Sequence, residues 1–166
     1  MVTTFAGNSG RLARSLLRCG AVSRLRVSIY IARSPRVVYE FAATPRNWSR
    51  WHPGSVTVSG AVDEPPAVGE QLIEKIALDG RRATRIAWKV IAHTPPEHWG
   101  LAARVPRRGL AELKFHLARN GRGTLCECHI AYEGRNPVVD AFVVRPRVLL
   151  EAKRSLARLK QVLETA

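Results

Sequence analysis

Three side chains in this 166-residue chain are of types that do acid–base chemistry, Glu74, His52 and Tyr132, and strand alternation aims Glu74 and Tyr132 inward. In Gln71-Leu72-Ile73-Glu74-Lys75-Ile76, the alternation that buries Leu72 and Ile76 turns Glu74 to the same face. A carboxylate held there needs a partner or a raised pKa, and it would then bind a ligand hydroxyl or exchange a proton with it. A bulge or register shift in the strand would instead leave Glu74 in solvent. The run Cys126-Glu127-Cys128-His129 suggests metal chemistry, but in a strand the two cysteines face one way and His129 the other, which cannot close a tetrahedral site locally. His52, His93, His98 and His116 lack helical metal-ligand spacing. The cysteines therefore read as small core residues, and no metal is expected. Phosphate loops, dinucleotide fingerprints and nucleophile elbows are all absent, and no cofactor is expected.

The elements that must position these groups follow from periodicity. Leu25, Val27, Ile29 and Ile31 alternate with Arg24, Arg26, Ser28 and Tyr30, which predicts a half-buried strand. Ser34-Pro35 supplies an N-cap and a first-turn proline for a short amphipathic helix, and Thr44-Pro45 opens a second short helix that ends at His52-Pro53-Gly54. Six strands are predicted next: Val56–Val62, Gln71–Leu78, Ala83–His93, His98–Val105, Leu110–Leu117 and Thr124–Glu133. Asp79-Gly80 and Asn120-Gly121 are the strongest hairpin signals between them, because these residues accept positive φ. Asn136-Pro137 then caps a helix running to about Glu164, with Phe142, Leu149, Ala152, Leu156, Leu159 and Leu163 in one stripe. Pro146 should kink or split it. The fold class is thus α+β, a curved seven-stranded antiparallel sheet burying its concave face against one long C-terminal helix.

If alternation is read as inward against outward, one wall receives Leu72, Ile76, Leu78, Thr84, Ile86, Trp88 and Val90, joined by Trp99, Leu101, Ala103 and Val105. Leu113, Phe115, Leu117, Cys126, Cys128, Ile130 and Tyr132 continue it, with Phe142, Leu149 and Leu156 of the helix opposite. Such side chains can simply be core. Alternatively, a sheet this curved and a single helix leave an apolar pocket of a few hundred Å³, about the size that holds small ligands.

Length and composition fit one domain, and no apolar run is long enough to span a bilayer. The 27 Lys and Arg outnumber the 13 Asp and Glu, for a formal net charge of +14. Arg11, Arg14, Arg18, Arg24, Arg26, Arg33 and Arg36 all precede the first acid, Glu40. The scatter of these charges argues against a nucleic-acid site and allows weak contact with an anionic membrane surface. Residues 1–23 read as a basic tail outside the core, and residues 24–166 as the folded domain. As a helix, Gly10 to Cys19 would separate Leu12, Leu16 and Cys19 from Arg11, Arg14 and Arg18, a pattern like a mitochondrial transit peptide; a disordered tail or an overlong start is the other reading. Three sparse cysteines fit a reducing compartment such as the cytoplasm. Nothing indicates an oligomeric state.

Several segments, in this order, resemble the START/SRPBCC superfamily, and within it the polyketide cyclase/dehydrase and lipid transport family. They are Ser34-Pro35-Arg36-Val37-Val38-Tyr39-Glu40-Phe41, Trp48 through Trp51-His52-Pro53, Val68-Gly69-Glu70, Val90 with Pro95-Pro96, Gly123-Thr124, and Leu159-Lys160 with Leu163-Glu164. The resemblance covers residues 25–165 and implies a helix-grip fold. It further implies that Trp48, Trp51 and His52 form a lid or rim; on spacing alone the two tryptophans equally well anchor the helical turn to the sheet. The ligand-binding residues expected are Trp48, Trp51, Leu72, Ile76, Ile86, Trp88, Trp99, Leu101, Phe115, Cys128, Tyr132, Phe142 and Leu149. Two functions follow: a carrier or sensor of a small hydrophobic ligand of lipid or polyketide-aromatic type, or a cyclase, aromatase or dehydratase using the same cavity. No catalytic motif carries over residue by residue, so Glu74, His52 and Tyr132 rest on chemical type alone.

Overall fold

A computed structural model of the chain describes residues 21–77, 83–105, 109–134 and 136–165. The N-terminal helix reading, Leu78 and the Asp79-Gly80 turn lie outside the described residues. Strand β1 (Ala21–Ile31) is followed by α1 (Pro35–Ala43), a 3₁₀ turn (Pro45–Asn47) and α2 (Trp48–Trp51). Then come β2 (Ser55–Ser59), β3 (Gln71–Ile76), β4 (Thr84–Thr94), β5 (His98–Val105), β6 (Gly109–Asn120) and β7 (Gly123–Gly134). The chain closes with α3 (Pro137–Val139), a π-helical turn (Asp140–Val144) and α4 (Arg145–Thr165).

The seven strands form one antiparallel sheet in the order β1-β7-β6-β5-β4-β3-β2. Helices α1 and α2 carry the chain from the β1 edge to the β2 edge, and all other neighbours are joined by hairpins except β1 and β7. Register shifts in β2 between Ser55 and Thr57 and in β4 between Val90 and Ala92 bend the sheet locally. Strand β1 begins earlier than Arg24, because Ala21 to Ser23 pair with Gly134 to Tyr132 of β7. Strand β2 stops before Val62, whose carbonyl accepts the Arg46 N–H instead.

Two glycines are required by geometry. The β6–β7 loop is Gly121-Arg122, flanked by the Asn120–Gly123 pair, and Gly121 has φ +57°, a left-handed conformation that glycine adopts without a Cβ clash. At Gly123, a Cβ would come within 2.4 Å of the Ile31 carbonyl oxygen and 2.5 Å of the Tyr30 hydroxyl. The next residue, Thr124, is fully buried and donates to the Arg33 carbonyl at 2.7 Å, so Gly123-Thr124 clamps β7 to the end of β1.

The helix caps differ. Asn136 caps α3, its side-chain oxygen accepting from the N–H groups of Val138 and Val139 at 2.9 and 3.2 Å. Ser34 occupies the α1 cap position with extended backbone but makes no side-chain cap bond; Pro35 starts that helix. Pro146 does split the terminal helix. It has no N–H to give and its ring would strike the carbonyl four residues back, so the chain passes it through the wider π turn. That turn rotates the preceding residues by roughly one position, about 100°, relative to an uninterrupted helix. Phe142, expected on the buried stripe, is consequently 79% exposed, while Asp140 is buried and Val144 half-buried.

Helix α4 packs its Leu156, Leu159 and Leu163 into the concave face, each at most 5% exposed. Its C-terminal end is tied to the edge strand: Glu164 Oε1 accepts the Ala32 N–H at 2.7 Å, and Lys160 Nζ donates to the Tyr30 carbonyl at 2.9 Å and to Glu164 at 2.7 Å. Lys160, followed by the Ala32 N–H, holds the Glu164 carboxyl below its usual pKa. A depressed carboxyl pKa contributes stability that is present above the ordinary value and lost as the pH falls through the lowered one. Glu164→Gln is expected to lower the thermal midpoint at neutral pH, and the gap from the native protein should close below about pH 4. Melting curves across pH check this; a gap that persists in acid would mean the ion pair is not its source.

Candidate functional site

Between the concave face and α4 lies a hollow of about 180 Å³. All four tryptophans of the chain, Trp48, Trp51, Trp88 and Trp99, line it, with Leu101, Leu113, Phe115, Cys128 and Ile130 from the sheet. Helix α4 contributes Val148, Glu151, Ala152, Ser155 and Leu156. The hollow opens where α4 presents the small side chains of Ala152 and Ser155 to the sheet. Further toward the C-terminus, three leucines fill the space.

The aromatic end is built from strand alternation and one helical turn. Trp99 stacks on its cross-strand partner Phe115 with ring centroids 4.6 Å apart and planes at 25°. Trp48 tilts against Trp99 at 5.7 Å, and Trp51 meets Phe115 edge-on at 6.0 Å. Trp48 also donates its indole N–H to the Ala42 carbonyl at 3.1 Å. Trp48 and Trp51 thus pack α2 against the sheet as buried side chains that also line the hollow.

Glu74 is 2% exposed, so the strand alternation holds and the solvent-facing alternative is not realised. Its Oε2 accepts the Trp88 indole N–H at 2.8 Å, and its Oε1 lies 3.3 Å from His52 Nδ1. A carboxylate only accepts, so with Glu74 ionised Nδ1 carries the hydrogen in that contact. Two donors offset the desolvation that an isolated buried carboxylate would suffer. An acidic group is thus presented inside a mostly apolar lining, with a half-buried imidazole at its side and Glu151 and Ser155 of α4 as the other polar members.

Tyr132 is elsewhere. It lines a second hollow of about 350 Å³, together with Ile86, Val105, Ala111, Val139, Asp140 and Val144. The two hollows share Ile130 of β7 and Val148 of α4 as a common wall. Burial, then the neighbouring Asp140, raises the Tyr132 pKa, and its hydroxyl has no well-formed hydrogen bond. Asp140 accepts a hydrogen bond from Ser23 Oγ. Of the expected ligand-binding residues, Trp48, Trp51, Trp88, Trp99, Leu101, Phe115 and Cys128 line the central hollow and Ile86 and Tyr132 the second. Leu72 and Ile76 are buried core outside both linings, Leu149 is half-buried against the core, and Phe142 points to solvent for the reason given above. Val148, Glu151 and Ser155 enter the lining without a signal in the leucine stripe, because each sits one position before a stripe residue of the same helix, on the adjoining face.

Cys126 and Cys128 point inward and His129 outward, as alternation requires. Burial pushes the Cys126 thiol up to about 12 and the Cys128 thiol higher. On the outer face, strand pairing brings His98, His116 and His129 into a row with successive ring centroids 4.8 Å apart, a neighbourhood invisible in the linear spacing. Burial and the two flanking imidazoles lower the His116 pKa.

The architecture defines a helix-grip domain, and solved structures agree. The chain is similar to Ara h 8.0201, at TM-score 0.71 and 10% identity, over 88% of this chain and 100% of that one. It is similar to major latex-like protein 151 of Panax ginseng, at TM-score 0.65 and 19% identity, over 82% and 96%. Similarity to the protein TTHA0849 of Thermus thermophilus is at TM-score 0.68 and 14% identity, over 86% and 98%. At these identities the likeness is one of fold. No curated protein matches the sequence. Residues 23–164 match the model of the family described as polyketide cyclase/dehydrase and lipid transport, and the chain belongs to that family, within the START/SRPBCC superfamily.

Two outcomes are expected from this geometry. In a Cys19→Ser background, neither remaining thiol should react with a disulfide reagent until the protein is unfolded; rapid labelling of the native fold would show that β7 opens. Trp88→Phe removes one of the two donors to Glu74 and should cost about 1.5–3 kcal/mol in chemical denaturation.

Proposed function

We propose that the central hollow binds a small hydrophobic ligand carrying at least one hydrogen-bonding group, and that the protein acts as its carrier or sensor. The observation that carries this reading is a buried carboxylate, Glu74, braced by Trp88 and His52 inside a lining dominated by aromatic and aliphatic side chains. Apolar walls supply affinity, and one fixed polar group supplies orientation. The aromatic end formed by Trp99 and Phe115 suits a flat ring, and the family's name is consistent with a lipid or polyketide-derived aromatic. The second hollow adds length, and the two together fall in the range of about 300–1,000 Å³ common for ligand sites.

A second reading is cyclisation or dehydration of a poly-ketone in the same space, favoured by the 3.3 Å contact between Glu74 and His52. Such chemistry needs a shaped pocket and a group that moves a proton, and a carboxylate beside an imidazole is such a group.

Because every tryptophan lines the hollow, intrinsic fluorescence reports occupancy directly. Native mass spectrometry of the purified protein should reveal a bound lipophile, and titration with fatty acids, sterols and polycyclic aromatics should quench fluorescence saturably for at least one class. Ala152→Phe, which fills the hollow from α4, should weaken that binding by at least about ten-fold with an unchanged circular dichroism spectrum. Undiminished binding in this variant, or none in the native protein across all three classes, would refute the carrier reading. Glu74→Gln separates the two functions: retained binding with lost turnover of a poly-ketone supports catalysis, whereas unchanged turnover removes Glu74 from it.

A further inference from the structure

The exposed large hydrophobic side chains are not spread evenly over the molecule. Val138, Val139, Phe142, Val143 and Leu150 all fall in α3, the π turn and the start of α4, and Phe142, at 79%, is the most exposed of all. The spacing of Phe142, Pro146 and Leu150 continues this patch along one side of the helix, with Pro146 also exposed. The same segment borders the second hollow, whose lining takes Val139 and Val144 from it.

Exposed cations lie at both ends of the domain, Arg119 and Arg122 of the β6–β7 hairpin among them, and several surround this patch. Arg145 and Arg147 flank the apolar side chains, and Arg85 and Arg104 sit beside Ile86 and Val105, which line the same hollow. All four arginines are exposed, and none forms a salt bridge among the described residues. The most exposed acidic residues among the described residues are Glu40, Asp63, Glu64, Glu70 and Glu97. They lie on α1, on the β2–β3 connection and on the β4–β5 turn, toward the opposite end of the strands. Near the apolar patch, Asp140 is buried, Glu133 is half-buried and accepts the Leu110 N–H, and Glu112, its side chain 46% exposed, is paired with Lys114.

We propose that this end of the domain docks on an anionic lipid bilayer, with Phe142 and its valine neighbours entering the interface and Arg85, Arg104, Arg145 and Arg147 facing the headgroups. A helical segment that is apolar and cationic on its outer side binds by apolar burial plus attraction to anionic lipid. Docking in this orientation turns the second hollow toward the membrane and the exposed acids away from it. A second copy of the chain fits the patch less well, since a two-fold contact would gather the Arg145 and Arg147 of both copies into one interface with no exposed acid of the patch to offset them. The chain's own residues 1–20 are no better matched, carrying Arg11, Arg14 and Arg18 and no acid. The proposal goes beyond ligand binding and does not require it.

Cosedimentation with phosphatidylcholine vesicles, with and without phosphatidylserine, tests the assignment. The native protein should partition onto the mixed vesicles and be released by salt. Phe142→Glu should weaken partitioning by at least about ten-fold, and Arg145→Ala or Arg147→Ala by about five-fold each. Val68→Glu makes the same change of charge at an exposed hydrophobic residue on the β2–β3 connection and should have little effect; equal losses in the two glutamate variants would mean that only net charge matters and would overturn the assignment. So would failure of the native protein to bind mixed vesicles, or sedimentation-velocity evidence of a dimer that Phe142→Glu dissolves. Tryptophan quenching by a soluble lipophile should be unaltered in Phe142→Glu, so that loss of docking and loss of ligand uptake are read separately.

Discussion

The structure depends on one mismatch: a seven-stranded sheet bent around a single helix that is too slender to fill it. Where α4 presents Leu156, Leu159 and Leu163, helix and sheet meet in a packed core. Where it presents Val148, Ala152 and Ser155, they stand apart and the hollow opens. The domain keeps its stability because the packed part is anchored at both ends. Glu164 and Lys160 pin the helix to the end of β1, and Arg158 donates to the Arg50 carbonyl at 3.2 Å, holding the chain at α2. A cavity in a close-packed interior forfeits contacts, so it persists only where the surrounding framework cannot collapse into it.

Within that framework, Glu74 is the polar group with most consequence. An apolar residue of similar size would pack there without partners, whereas a carboxylate requires the donors that Trp88 and His52 bring from β4 and the end of α2. Those donors come from separate parts of the chain and converge only because β3 pairs with β4 in a register that sets Leu72 opposite Trp88 and Glu74 opposite Ile86. The same register makes Trp88 both a wall of the hollow and a hydrogen-bond donor to its acid.

The two ends of the domain differ in kind. One carries the most exposed acids and the clamp of Gly123-Thr124 on β1; the other carries the π turn with exposed Val138, Val139, Phe142 and Val143, and the second hollow. Pro146 links these features. By interrupting the helix it buries Asp140 beside Ser23 and Tyr132 and turns Phe142 outward, so one backbone constraint shapes both the hollow's lining and the outer surface beside it.

Much of this was legible from local pattern. Strict alternation in Gln71–Ile76 placed Glu74 inside, the Asn120-Gly121 and Asn136-Pro137 signals marked a hairpin and a helix start, and the order of elements identified the helix-grip class. These are properties of neighbouring residues, with periods of two or 3.6 that the backbone imposes wherever the chain lies. Tertiary structure alone decided that His52 and Trp88 reach the same carboxylate, that His98, His116 and His129 line up across three strands, and that Phe142 leaves the leucine stripe. Each of these depends on strand register or on how the chain passes a proline, which no run of neighbouring residues encodes. Whether the interior holds a space at all was settled the same way, since volume between a sheet and a helix is a property of their separation and not of either sequence alone.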